Sequence, residues 1–581
     1  MKKIFTFILI IAITQVFAQS PINKISHGLK AAIELKQKED KHLVWVYFSD
    51  KGKNVEKFFD NPELILSKKS LNRRNKNLHK NLSIDFSDLP VNGDYINKLV
   101  SEGFVLKQKS KWFNAVSGYA DEFQINQISS LQFVVKIDLV QLLYKDEKKD
   151  QTLNPNIVKK LSLQPEGIYA LDYGQSYDQL ELSNIPQVHE LGFNGQGVTI
   201  CVMDAGFNNL SHEVFQNMNI IAEWDFVNND SNVDNESDSG DGTHGTAVLS
   251  ILGGFKEGEL IGTAYGANFI LAKTENTDSE TPAEEDNWIA ALEWADSIGV
   301  DVTSTSLGYL DYDPPYVSYT WEDMDGNTAL ITKAADLAVA KGIVFVNSAG
   351  NEGDNANHNT LVAPADGDSV IAVGSVDYLG SRAFYSSVGP TLDGRIKPDV
   401  MAMGMGNYIA TPYSSSSYVI STIGGTSYSC PIVAGVAAIL LSANASLSPM
   451  QIRDIFRTTS SNSNNPNNLY GWGIINALAA VDAVITKVDD KNMVDNFYLL
   501  TSYPNPFNPS TIIRYAVPKK SFVKIIICNI LGSEIKTLVD KEVDIGINET
   551  VLDGSDLASG IYFVRMLSNN QQKIIKISLI R

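Results

Sequence analysis

Four short stretches of this 581-residue chain set reactive side chains beside glycines. VTICVMDAGF, 198–207, ends an apolar run at Asp204. SDSGDGTHGTAVLSILGG, 237–254, puts His244 between Gly-Thr pairs, just ahead of an apolar run. FVNSAGNEG, 345–353, carries Asn351 in a glycine-rich loop. GGTSYSCPIVAG, 424–435, holds two side chains that could act as nucleophiles, Ser427 and Cys430. A carboxylate, an imidazole and a hydroxyl suit nucleophilic acyl transfer: the carboxylate orients the imidazole, the imidazole takes the hydroxyl proton, and the oxygen attacks. An Asn351 amide donating to the resulting oxyanion would stabilise the transition state by roughly 3–4 kcal/mol. Taken singly, each stretch has a plainer reading: a strand-end Asp in a turn, a solvated loop His, an N-cap Ser. Their joint presence favours chemistry.

The choice between serine and cysteine follows from position. Gly424 and Gly425 permit a tight turn and close backbone approach. A helix over 427–443 then places Ser427 at its head, where peptide dipoles favour developing negative charge. Pro431 is expected within the first turn, where its missing N–H costs nothing. Cys430 precedes that proline and a run of apolar residues, which suits an inert core thiol.

These residues need a scaffold that gathers distant strand ends. From 176 to 485 short apolar runs at 198–203, 269–273 and 343–347 read as buried parallel strands. They alternate with helical stretches at 283–298, 328–341 and 427–443, and such alternation implies α/β architecture with a doubly wound parallel sheet. Reactive residues in such sheets gather beyond the carboxyl ends of the strands. The formal net charge is −20, which disfavours a nucleic acid partner. Most of the acidity lies in this central stretch, whereas the preceding segment is locally basic, notably KKSLNRRNKNLHK at 68–80. The two charge patterns fit either docking of one segment on the other or two separately solvated surfaces.

The flanks read differently. MKKIFTFILIIAITQVFAQS has two lysines, an apolar run and a small residue at Ala18, the pattern of a signal peptide over 1–18. No later run reaches the roughly 18 apolar residues of a membrane helix, so no transmembrane segment is expected. Residues 19–145 mix strands (43–48, 104–106, 133–137) with helices (94–101, 125–131), a small α+β unit. A charged, Pro-containing linker, 146–175, follows. After a second linker, 486–496, residues 497–581 show short strands at 511–517, 522–528, 534–538, 561–567 and 573–580 between Gly turns, an all-β sandwich. Three cysteines, Cys201, Cys430 and Cys528, are too few to staple a secreted chain of this size.

The order Asp, His, Asn, Ser, in D-A-G, D-G-T-H-G-T, A-G-N-E-G and G-T-S-x-x-x-P, resembles the subtilisin-like serine endopeptidases. The resemblance implies that Asp204 orients, His244 is the general base and Ser427 the nucleophile. Asn351 and the Ser427 backbone N–H would form the oxyanion site. Ser306, Leu307 and Gly308 match the strand that pairs with extended substrate, and Ser348, Ala349 and Gly350 would flank the primary specificity pocket. Ser429 in place of alanine and Asp-Ala-Gly in place of Asp-Ser/Thr-Gly are small departures that bear on fine substrate preference. Small residues there leave room for a bulky apolar side chain, and Glu352 would favour a basic one. No cofactor is required for the chemistry. Structural calcium is compatible with the resemblance, but no ligand spacing locates it, and DNESDSGDG, 234–242, reads better as a solvated acidic loop.

Residues 19–145 resemble the inhibitory propeptides of that family, which implies a zymogen, self-cleavage between about 140 and 175, and the propeptide as an intramolecular inhibitor. YPNPFNPST, ILGSEIKTL and LASGIYFVRM resemble the sorting domain of type IX secretion cargo. That implies a secreted or cell-surface protein of a Gram-negative bacterium, with the secretion machinery and protein substrates as partners. The competing class is an inactive subtilase fold displaying surfaces for adhesion. A complete set of Asp204, His244, Asn351 and Ser427 argues for the peptidase.

Overall fold

The computed structural model describes residues 24–35, 41–77, 84–140, 169–236, 241–279, 281–312, 318–354, 358–422, 424–485, 498–503, 507, 509–517, 519–544, 546–568 and 571–579. The expected signal peptide, most of the linker at 146–175 and the linker at 486–496 lie outside them. The described residues form two compact units, one drawn from residues up to 57 and from 86–142, the other from 58–85 and from 143 onward.

A seven-stranded sheet organises the second unit. Its order is Val400–Met403, Ile371–Val376, Val344–Ser348, Val302–Thr305, Thr199–Asp204, Asn268–Lys273 and Asn219–Asp225. All pairings are parallel. The sequence Thr-Ile-Cys-Val-Met-Asp is buried along its whole length, as a strand covered on both faces must be. Ile200 and Val202 belong to one buried core with Val248 and Leu252 of helix Thr243–Gly253 and Val433 and Ala437 of helix Thr426–Ala443. Helices Ala283–Ile298 and Leu330–Ala340 pack on each other, and Trp288 of the former meets Phe345 of the sheet edge to face, 5.6 Å between ring centres. The α/β, doubly wound expectation is met, and the helix bounds at 283–298 coincide because Pro282 precedes and Gly299, at φ +100°, ends it.

One expectation needs correction. Helix Thr426–Ala443 is 18 residues long with a mean hydropathy of 1.6, enough by length and composition to cross a membrane. It is 78% buried within the protein, so its apolarity serves the core.

The first unit is a four-stranded antiparallel sheet ordered Val105–Ser110, Ala115–Ala120, His42–Phe48, Val134–Leu139. Helices Gly93–Ser101 and Glu122–Ser129 cover it, the second started by an Asp121/Gln124 capping box. The C-terminal strands form two antiparallel sheets around a common core that includes Ile513, Tyr515, Val523, Ile525, Val564 and Met566. Alternating burial along Gly560–Ser568 marks the inward face.

Candidate active site

Asp204 ends its strand with no exposed surface. A buried carboxylate requires partners, and it has two: Oδ1 accepts from the Ala205 N–H at 2.8 Å and from His244 Nδ1 at 2.7 Å. His244 is the second residue of its helix and keeps 36% of its side chain exposed. The close approach depends on Gly245, where a side-chain carbon would fall 2.1 Å from the Gly206 carbonyl oxygen and 3.1 Å from Asp204 Cβ. Because the carboxylate can only accept, Nδ1 carries the proton and Nε2 is left basic. Burial lowers the imidazole pKa, and the Asp204 charge and hydrogen bond outweigh it, so the group titrates above its ordinary value. Tyr428 lies nearly parallel to the His244 ring, at 6.1 Å and 23°. A cavity of about 340 Å³ opens on this flank, lined by Asp241, His244, Ala247, Ile409, Thr411 and Tyr428.

Ser427 is the second residue of helix Thr426–Ala443. The preceding turn needs Gly424, at φ +77°, where a side-chain carbon would meet the Gly404 carbonyl oxygen at 2.0 Å. The Ser427 hydroxyl donates to the Ser306 carbonyl at 3.2 Å, and the Ser306 hydroxyl donates to the Ser427 carbonyl at 2.8 Å. This second bond corrects the reading of Pro431. The helix begins at Thr426, so Pro431 is its sixth residue, beyond the first turn, and lacks the N–H that would have bound the Ser427 carbonyl. The Ser306 hydroxyl supplies the missing donor. Cys430 is fully buried, its Sγ facing the Thr305 carbonyl at 3.4 Å, and burial pushes its thiol up to about 12. It is a packing residue with no thiolate at neutral pH.

Asn351 is exposed, and its amide is held by the oxygen: Oδ1 accepts from the Thr426 N–H at 2.9 Å and the Thr426 hydroxyl at 3.0 Å. That leaves the Nδ2 protons for another acceptor beside the Ser427 helix head. Ser306, Leu307 and Gly308 continue strand Val302–Thr305, and their position is pinned from the next strand. Asn347 Nδ2 donates to the Leu307 carbonyl at 3.0 Å and the Ser348 hydroxyl to the same oxygen at 3.3 Å. Ala349 and Gly350 follow, with Gly350 N–H bonded to the Thr426 hydroxyl at 3.3 Å. The residues singled out from sequence therefore all belong to one neighbourhood at the carboxyl ends of adjacent strands.

Sequence reasoning missed the buried acidic wall next to it. Tyr309, directly after Gly308, donates to Glu275 Oε1 at 2.6 Å. Tyr312 and Tyr319 donate to Glu285, whose carboxyl is pushed up to about 7 by burial, against the pull of those two bonds. The signal was present as Glu284-Glu285-Asp286 at a helix start, where dipoles favour acids, but nothing local says that the acids are buried. Among the described residues, Asp225, Asp230 and Glu236 are the group that could hold a metal ion, their nearest oxygens lying within 4.8 Å of one another. The Lys273 ammonium, 3.0 Å from Asp225 Oδ2, already supplies positive charge there.

The subtilase family matches residues 195–473, a Peptidase S8 propeptide domain of Bacteroidota matches 43–154, and a secretion system C-terminal sorting domain matches 501–580. Subtilisin DY of Bacillus licheniformis is 33% identical over 301 residues, covering 52% of this chain and 97% of that protein. Subtilisin E of Bacillus subtilis (strain 168) is 32% identical over 338 residues, covering 57% of this chain and 79% of that one. The chain belongs to the subtilase family of serine peptidases and carries a propeptide domain and a secretion sorting domain.

Proposed function

We propose that the protein is a secreted endopeptidase that cleaves proteins through an acyl-enzyme, with Asp204, His244 and Ser427 as its triad. The observation that carries this reading is the 2.7 Å bond from His244 Nδ1 to a fully buried Asp204, beside a serine at a helix head. A substrate strand pairs with Ser306–Leu307–Gly308, and the Ser427 hydroxyl turns from the Ser306 carbonyl to His244 Nε2. Its oxygen attacks the scissile carbonyl as Nε2 takes the proton. The oxyanion is held by Asn351 Nδ2 and the Ser427 N–H. Nε2 returns the proton to the departing amine, and water then repeats the sequence on the ester. No cofactor enters these steps.

The leader is proposed as an intramolecular inhibitor that the enzyme itself removes. Tyr173 is fully buried, and its hydroxyl lies 2.9 Å from His189 Nδ1, so the cut belongs upstream of the residues packed around it, within 141–168. The sorting domain supports export by the type IX route to the medium or cell surface of a Gram-negative host. Two measurements test these readings. The mature protein should take a serine-directed fluorophosphonate, and absence of label would end the enzymatic assignment. Ser427→Ala should accumulate with its leader attached; loss of the leader without any added protease would refute self-processing.

A further inference from the structure

Residues 58–85 pack with the second unit, although the leader on either side of them forms the first. Their helix, Lys68–Asn77, reads KKSLNRRNKN and lacks the apolar stripe that ordinarily buries a helix. Its buried side chains are instead Ser70 and the two arginines Arg73 and Arg74, which are 4% and 1% exposed. Both meet Asp296, which has no exposed surface. Arg73 Nη2 binds Oδ1, and Arg74 Nη2 binds Oδ2 at 2.5 Å. Arg73 donates further to the carbonyl oxygens of Val300 and, at 3.3 Å, Lys341. Lys69 Nζ lies 2.7 Å from Asp301 Oδ2. Ser67 adds its N–H to the Ser297 carbonyl at 2.9 Å and its hydroxyl to the Ile298 carbonyl at 2.6 Å.

The acceptors have a common origin. They sit at the carboxyl ends of helices Ala283–Ile298 and Leu330–Ala340, where orphan carbonyls and the helix dipole favour cations. Gly299 permits the depth of the contact, since a side-chain carbon there would fall 2.6 Å from the Ser70 backbone nitrogen. The helix also touches the start of strand Thr199–Asp204, through Lys69 and the Thr199 hydroxyl, whereas the candidate active site lies at that strand's far end. A six-residue strand separates the two by about 17 Å.

We infer that the surface around Asp296 is an arginine-accepting docking site that holds the leader to the peptidase body apart from the active site, and that this hold outlasts a cut in 141–168. The inference rests on the reading of the leader as a propeptide severed there. Two buried guanidiniums sharing one buried carboxylate make the contact selective, because removing one side strands the other's charge. The fitting partner is a helix that presents adjacent arginines, and Lys68–Asn77 is that partner in this chain.

The test uses the full chain as Ser427→Ala, with a recognition site for an added protease placed within 141–168. After the cut under native conditions, gel filtration should show the leader co-eluting with the body. In the Arg73→Gln/Arg74→Gln form the leader should leave at least about a hundredfold faster. Equal retention in both forms overturns the inference. Should the double variant fail to fold, the unaltered cut protein can be challenged with a peptide of residues 66–77. That peptide should reduce the retained leader, and the same peptide carrying Arg73→Gln and Arg74→Gln should not; equal effects overturn the inference. Since the added protease makes the cut, the outcome does not depend on the triad assignment.

Discussion

Ser427 and Cys430 are three residues apart on one helix, yet their surroundings separate them completely. Ser427→Ala should abolish peptide hydrolysis, whereas Cys430→Ala should keep most of it; equal loss in a peptidase assay would contradict the assignment. Asp204→Asn should lower kcat by about four orders of magnitude, since the imidazole would be held in the wrong tautomer. The same change removes the charge that raises the His244 pKa. With His244 as the proposed general base, activity needs its neutral form, so the acid limb of the wild-type profile should lie above the ordinary value of 6.5, and it should move down in whatever activity Asp204→Asn retains. A kcat/KM profile between pH 5 and 9 reads both. The glycine-framed motifs were legible in sequence because each marks a tight turn around a reactive side chain. The reciprocal link between Ser306 and Ser427 was not, for it joins residues 121 apart and depends on where the helix begins.

That link makes a prediction at the scale of the helix. Ser306→Ala should leave the Ser427 carbonyl without a donor and cost about 1 kcal/mol or more in thermal or denaturant unfolding. Pro431→Ala restores an N–H four residues on, so the double variant should lose less than the sum of the singles. A further prediction concerns the edge strand Val400–Met403. Just before it Asp399 is buried, its carboxylate 3.0 Å from Lys397 Nζ and 2.9 Å from Arg457 Nε. Burial pushes its pKa up, but the charges of Lys397, Arg457 and Arg453 bring it down to about 2. A depressed carboxyl stabilises the fold above its unfolded value near 3.9, and that stability is lost as pH falls through about 2. Roughly 2 kcal/mol is at stake. Melting curves of Ser427→Ala between pH 2 and 5 should fall more steeply than those of the same protein with Arg457→Ala. Elements were legible where periodicity and terminators agreed, as at Ala283–Ile298. Strand Ala115–Ala120 was missed because Ala-Val-Ser-Gly-Tyr-Ala has little β propensity, and pairing on both sides imposes its conformation. Helix Lys68–Asn77 was visible only as a charge run, because ion pairs rather than an apolar face bury it.

For the whole molecule, the division into leader, body and C-terminal sandwich could be read from shifts in composition, whereas the assignment of 58–85 to the body could not, since it depends on contacts between distant segments. The helix headed by Thr426 carries a consequence for export, the fate that the secretion sorting domain points to. Thr426–Ala443 has the length and mean hydropathy of a membrane span, and only the finished core hides it. A chain threaded unfolded through a membrane pore offers this segment to lipid before any core exists to compete. Its serines, Pro431 and Gly435 hold the segment's apolarity below that of an all-leucine helix, so a chain crossing unfolded should insert less readily with them than with leucines in their place. Replacing Ser429 and Gly435 with leucine should shift newly made protein from the exported to the membrane-embedded fraction, as alkaline extraction of cells would record. The helix that the folded core needs apolar is thus the one that a crossing chain needs polar enough to pass.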